Sequence, residues 1–108
     1  MDPTHTDLTW QRLCAVDDLF PPMRFELEGR PPVAVFQLGD EYFITDDTCS
    51  HGAASLCDGF VEGEDIECPW HGGKFCIRTG AATAFPAELP IRIHPVRVQD
   101  GQISIGLS

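Results

Sequence analysis

The chain has 108 residues, which suits one domain spanning 1–108 with a single modest core. Its 17 acidic residues against 7 basic ones give a formal net charge of −10, a field that repels nucleic acid and anionic membranes and favours partners with basic patches. The opening MDPTHTDLTW shows no signal-peptide pattern, and no run of about 18 apolar residues follows anywhere; the expectation is a cytoplasmic protein that makes no contact with nucleic acid or membrane.

In chain order, LTWQRLCAV reads as a first strand. After the Pro21-Pro22 break, RFELEG alternates apolar Phe25 and Leu27 with charged Arg24 and Glu26. VAVFQL and EYFIT flank Gly39-Asp40 and read as a hairpin. Residues 46–55 read as a loop, DIEC as a short strand, PWHGGK as a second loop, and FCIRTG as a strand running into a turn. AATAFPAELP reads as a Pro/Ala connector, and VRVQ and QISIGL flank Asp100-Gly101, a pair suited to a type I′ turn. Nine prolines and ten glycines are scattered throughout, and no long segment shows helical periodicity. The predicted class is all-β, built of small antiparallel sheets as a sandwich or barrel.

The segment CSHGAASLCDGFVEGEDIECPWHGG holds three of the five cysteines and two of the four histidines. Cys49 and His51 form one close pair, Cys68 and His71 another, and sixteen residues separate His51 from Cys68. That interval accommodates one hairpin, so two loops can meet at the tip of a small sheet. Structural zinc sites pair like ligands locally, as C-x-x-C or H-x-x-x-H, whereas both pairs here are mixed. A zinc-binding interaction module remains an alternative. Mixed pairs make better sense for two irons, with each loop giving its cysteine to one iron and its histidine to the other, as in a Rieske [2Fe–2S] centre.

The pattern C-x-H-x16-C-x-x-H with CPWHGGKF resembles the Rieske family. CSHG, LCDGFVEG and IECPWHGGKFCIRTG together are similar to the soluble ferredoxins of multicomponent aromatic-ring dioxygenases, over nearly the whole chain. The resemblance implies a Rieske fold, with a cluster-binding subdomain of about 46–77 inserted in a β base and two ligand loops at one tip. It implies one [2Fe–2S] cluster, with Cys49 and Cys68 as thiolate ligands of one iron and His51 and His71 as imidazole ligands of the other. It also implies a monomeric one-electron carrier, not an enzyme. Its donor would be an NAD(P)H-dependent flavoprotein ferredoxin reductase. Its acceptor would be a terminal Rieske non-haem iron oxygenase in aromatic compound degradation. The chain lacks G-x-G-x-x-G for binding a nicotinamide itself. An oxygenase subunit would need a further domain with a two-histidine, one-carboxylate iron site. The small Rieske-like subunit of a nitrite reductase is the other reading of this size.

Replacing two thiolates by neutral imidazoles removes negative charge, so Rieske potentials span roughly −150 to +300 mV, above all-cysteine ferredoxins. High-potential members resemble C-T-H-x-x-C and C-P-C-H-G-S-x-Y. Here Ala54 and Trp70 stand at the positions of the bridging cysteines, Gly73 at that of the serine and Phe75 at that of the tyrosine. Fewer hydrogen-bond donors predict a potential near the low end, about −150 mV. Cys14, Cys57 and Cys76 read as small, partly buried residues rather than a disulfide framework. Trp70 reads either as a cover over the cluster or as an exposed docking residue, Gly52, Gly72 and Gly73 as tight-loop residues, and His5 and His94 as structural or surface groups.

Overall fold

The computed structural model describes residues 8–49, 54–70 and 72–107. The described strands are β1 Thr9–Ala15, β2 Met23–Leu27, β3 Arg30–Leu38, β4 Glu41–Asp46, β5 Phe60–Glu62, β6 Asp65–Glu67, β7 Lys74–Cys76, β8 Ala82–Ala84, β9 Ile93–His94, β10 Val96–Gln99 and β11 Gln102–Leu107. Their pairings are antiparallel and make three small sheets, ordered β1-β11-β10, β2-β3-β4-β9 and β5-β6-β7-β8. The all-β class expected from the sequence is the observed one. Asp100 has φ 55° and Gly101 φ 73°, the paired positive values of the type I′ turn between β10 and β11.

The central strand β3 shows why this chain needs two cores. Its Val33-Ala34-Val35-Phe36 run is buried without interruption. Successive side chains on a strand point to opposite faces. Val33 and Val35 therefore join Cys14, Leu27, Ile44, Ile103 and Ile105 in a core shared with the first sheet. Ala34 and Phe36 join Leu56, Ile66, Phe75 and Ile77 in a second core under the third sheet. The middle sheet is thus covered on both faces.

Arg78 ties the third sheet to the middle one. Its guanidinium bonds Glu41 at 2.7 Å and Glu64 at 3.1 Å and lies 5.1 Å over the Phe43 ring. His94 Nε2 meets Asp46 Oδ1 at 2.7 Å, so β9 is fastened to the end of β4. This fits the structural reading of His94, whereas His5 lies outside the described residues. Two short strands escape the sequence reading: β5 in FVE, and β8 inside the expected connector. β5 carries no alternation of apolar and polar residues, β8 alternates over only three small residues, and both are held by pairing to a neighbour. Among the described residues no helix is long and apolar enough to cross a membrane.

Candidate metal centre

Two loops rise beside the second core, and each is closed in the same way. In the first, Thr48 and Ser55 form an isolated bridge, Leu56 N–H donates to Asp47 C=O at 2.7 Å, and Cys49 N–H donates to Ala54 C=O at 3.0 Å. In the second, between β6 and β7, Cys68 N–H donates to Gly73 C=O at 2.7 Å. In each loop the cysteine amide bonds the carbonyl five residues further along, which closes the base of both loops. Pro69 holds the preceding Cys68 out of the helical region, and Gly72 supplies a φ of 76° on the return.

Cys49 and Cys68 are both buried, 2% and 1% exposed, in the same apolar core. Their side chains are in hydrogen-bonding contact. Burial first, and the neighbouring Cys49 sulfur as well, push the Cys68 thiol up to about 11, while the Trp70 backbone N–H donating to that sulfur pulls the other way. Two adjacent thiols buried in an apolar pocket suit a cationic metal centre, which offsets the charge of the thiolates that ligate it. The donor set of this pocket therefore fits an iron–sulfur cluster held by thiolates. The loop tips that carry His51 and His71, and Gly52 with them, lie outside the described residues.

The first loop owes its shape to Asp47, which sequence reading missed. This carboxylate is 1% exposed. It accepts the Cys57 N–H at 3.1 Å on Oδ1, receives the Cys57 thiol, and faces Arg24 Nε at 3.6 Å through Oδ2. Burial and this carboxylate raise the Cys57 thiol far above its ordinary value. Cys76 goes the other way, lowered chiefly by the Thr79 hydroxyl and assisted by the Thr79 and Arg78 backbone N–H groups. None of the five cysteines is in a disulfide.

Behind the second loop runs the 85–91 segment. A β-carbon on Gly73 would stand 2.9 Å from Ala87 N and 3.0 Å from Ala87 Cβ, so only glycine allows the two to pack. Phe85 and Leu89 on this segment are 80% and 66% exposed, Trp70 is 53% exposed, and Phe60 at the start of β5 is 66% exposed. Trp70 is therefore an exposed residue of the second loop. Register runs Phe60–Glu67–Lys74–Ala84 across the third sheet, which places Phe60, the second loop and Phe85 along one end of it.

Residues 9–95 match the Rieske [2Fe-2S] domain, and the chain belongs to that family and carries a Rieske-type [2Fe–2S] cluster. Among curated relatives, the ferredoxin component of the p-cumate 2,3-dioxygenase system of Pseudomonas putida is 47% identical, over 86% of this chain and 81% of the relative. The anthranilate 1,2-dioxygenase ferredoxin subunit of Burkholderia cepacia is 43% identical, over 91% of this chain and 92% of the relative. A solved structure, a complex of reduced oxygenase and oxidized ferredoxin in carbazole 1,9a-dioxygenase, matches with a TM-score of 0.84 and 39% identity, covering 89% of this chain and 91% of that one. Within the family this chain is a ferredoxin: an electron carrier, not an enzyme in its own right.

Proposed function

We propose that this ferredoxin accepts single electrons from an NAD(P)H-dependent flavoprotein reductase and delivers them to a terminal Rieske non-haem iron oxygenase that attacks an aromatic compound. The names of the similar dioxygenase ferredoxins support this reading, and so does the solved complex of a relative with its oxygenase. Four metal-ligating residues in the family spacing, together with that similarity, favour it over a nitrite reductase small subunit. Cys49 and Cys68 would hold one iron of the cluster, and His51 and His71 the other. The chain acts as one Rieske domain over 1–108, its cluster-binding part being about 46–77, and works as a cytoplasmic monomer.

The observation that carries the ligand assignment is the buried, mutually contacting pair Cys49 and Cys68, each pinned by its own amide at the base of a loop that leads by sequence to a histidine. When bound, the cluster supplies a reversible one-electron store. The protein's own residues bury the thiolates, give one of them the Trp70 N–H, and surround the second loop with exposed apolar side chains. A large exposed aromatic beside a cofactor is suited to the centre of a protein interface.

The test is an EPR spectrum of the dithionite-reduced protein. A rhombic signal with average g below that of all-cysteine clusters is expected, and it should vanish in His71→Ala and Cys68→Ala. A colourless protein with stoichiometric zinc, or a rhombic signal that survives both substitutions, would overturn the assignment.

A further inference from the structure

The outer side of the second ligand loop carries a carboxylate, Glu67, whose nearest cation, Lys74, is shared with another acid. Along β6, Ile66 is buried, as is the following Cys68, while Asp65 and Glu67 alternate to the other face. Glu67 Oε2 stands 3.5 Å from the position a β-carbon on Gly72 would take, so the carboxylate lies against the return of the loop. It also belongs to the residue immediately before Cys68. Lys74 is its partner in the β6–β7 register, yet the ammonium bonds Glu62 at 2.5 Å instead. Glu67 forms no ion pair with any described residue.

We propose that Glu67 is a tuning residue that holds the reduction potential of the bound cluster down. The inference rests on the ligand assignment proposed above. Reduction adds one electron, supplied by the reductase or by dithionite, and changes no bond in the protein. The added negative charge is opposed by a carboxylate fixed beside the loop. Lys74 interacts with Glu67 electrostatically but is bonded to Glu62, so it offsets only part of this. The low potential expected from the missing hydroxyls at Gly73 and Phe75 would thus have a second, local cause.

The test is a dye-mediated redox titration of cluster-loaded Glu67→Gln and Glu67→Lys, with Glu28→Gln as a control at an exposed carboxylate in the β2–β3 turn. Gln keeps the shape of Glu and removes the charge. At a fixed applied potential its reduced-to-oxidised ratio should rise about tenfold, an upward shift of about 59 mV for a one-electron couple. The Lys variant should move further in the same direction, and the control should match the wild type. Two wild-type-like midpoints at position 67, with the rhombic signal intact, would overturn the tuning role while leaving the ligand assignment standing. A shift of equal size in Glu28→Gln would also overturn it, by reducing the effect to net charge. A wild type without the rhombic signal would instead bring down the ligand assignment, and the tuning role with it.

Discussion

Asp46 and Asp47 are neighbours with the same side chain and different work. Asp46 ends β4 and fixes His94, whereas Asp47 turns inward and organises the first ligand loop. Nothing in the pair of letters separates them, because the distinction arises from where β4 stops and the chain bends. Asp47→Ala would strip the Cys57 N–H and thiol of their acceptor and leave Arg24 with Glu26 as its ion-pair partner. Leaving a part-buried donor unpaired costs about 1–3 kcal/mol. The expected result is a lower urea midpoint for loss of the visible cluster band. An unchanged midpoint would show that Asp47 is dispensable to the loop. The cysteines divide in a similar way. Cys57 is raised by burial and Asp47, Cys14 by burial and Asp18, while Cys76 is lowered by donors at Thr79 and Arg78. A lowered thiol holds more thiolate at any given pH, and thiolate is the reactive form. Iodoacetamide at mildly alkaline pH should therefore label Cys76 well before Cys14 or Cys57 in the loaded protein, as read by peptide mass spectrometry.

At the scale of elements, legibility followed local chemistry. The β10–β11 hairpin was readable because Asp-Gly is among the few pairs that tolerate two positive φ values, and the VAVF run because burial on both faces demands unbroken apolarity. The cysteine–histidine spacing pointed to this pocket because soft-metal ligand types at short spacing stand out; the structure brings Cys49 and Cys68 together, whereas His51 and His71 lie outside the described residues. β5 and β8 were not readable, since Phe-Val-Glu and Ala-Thr-Ala become strands only through their partners. The packing of 85–91 against the second loop was equally hidden, although it decides what Gly73 can become. The serine of the high-potential pattern C-P-C-H-G-S-x-Y falls at this position, so the sequence alone invites Gly73→Ser as a way to raise the potential. The structure expects another outcome. The new β-carbon would press into Ala87 and push the covering segment away before any hydroxyl could donate to a sulfur. Gly73→Ser should bind less iron per chain and lose its visible absorbance faster than wild type on mild heating. A fully loaded, equally stable variant of higher potential would mean that the segment yields freely.

At the scale of the molecule, two attractions would draw the proposed partners to the cluster end, and salt separates them. The net charge of −10 is spread through the chain, and the cations near the ligand loops are already committed, Lys74 to Glu62 and Arg78 to Glu41 and Glu64. An approaching partner with a basic patch meets a largely uncompensated negative field, which speeds encounter and fades beyond a Debye length of about 10 Å at 0.1 M salt. Trp70, Phe85, Leu89 and Phe60 offer apolar contact once the partner has arrived, and burial of apolar surface responds little to ionic strength. The second-order rate of cluster reduction by the proposed reductase should therefore fall about tenfold or more between ~0.02 M and ~0.5 M salt. Trp70→Ala should lower the rate by a similar factor at both salt concentrations and leave the steepness of the salt dependence unchanged. Stopped-flow absorbance of the loaded protein reads both effects. A wild-type rate that stays flat with salt would remove the electrostatic component. A Trp70→Ala rate equal to wild type at high salt would remove the apolar one and move the contact surface away from the second loop.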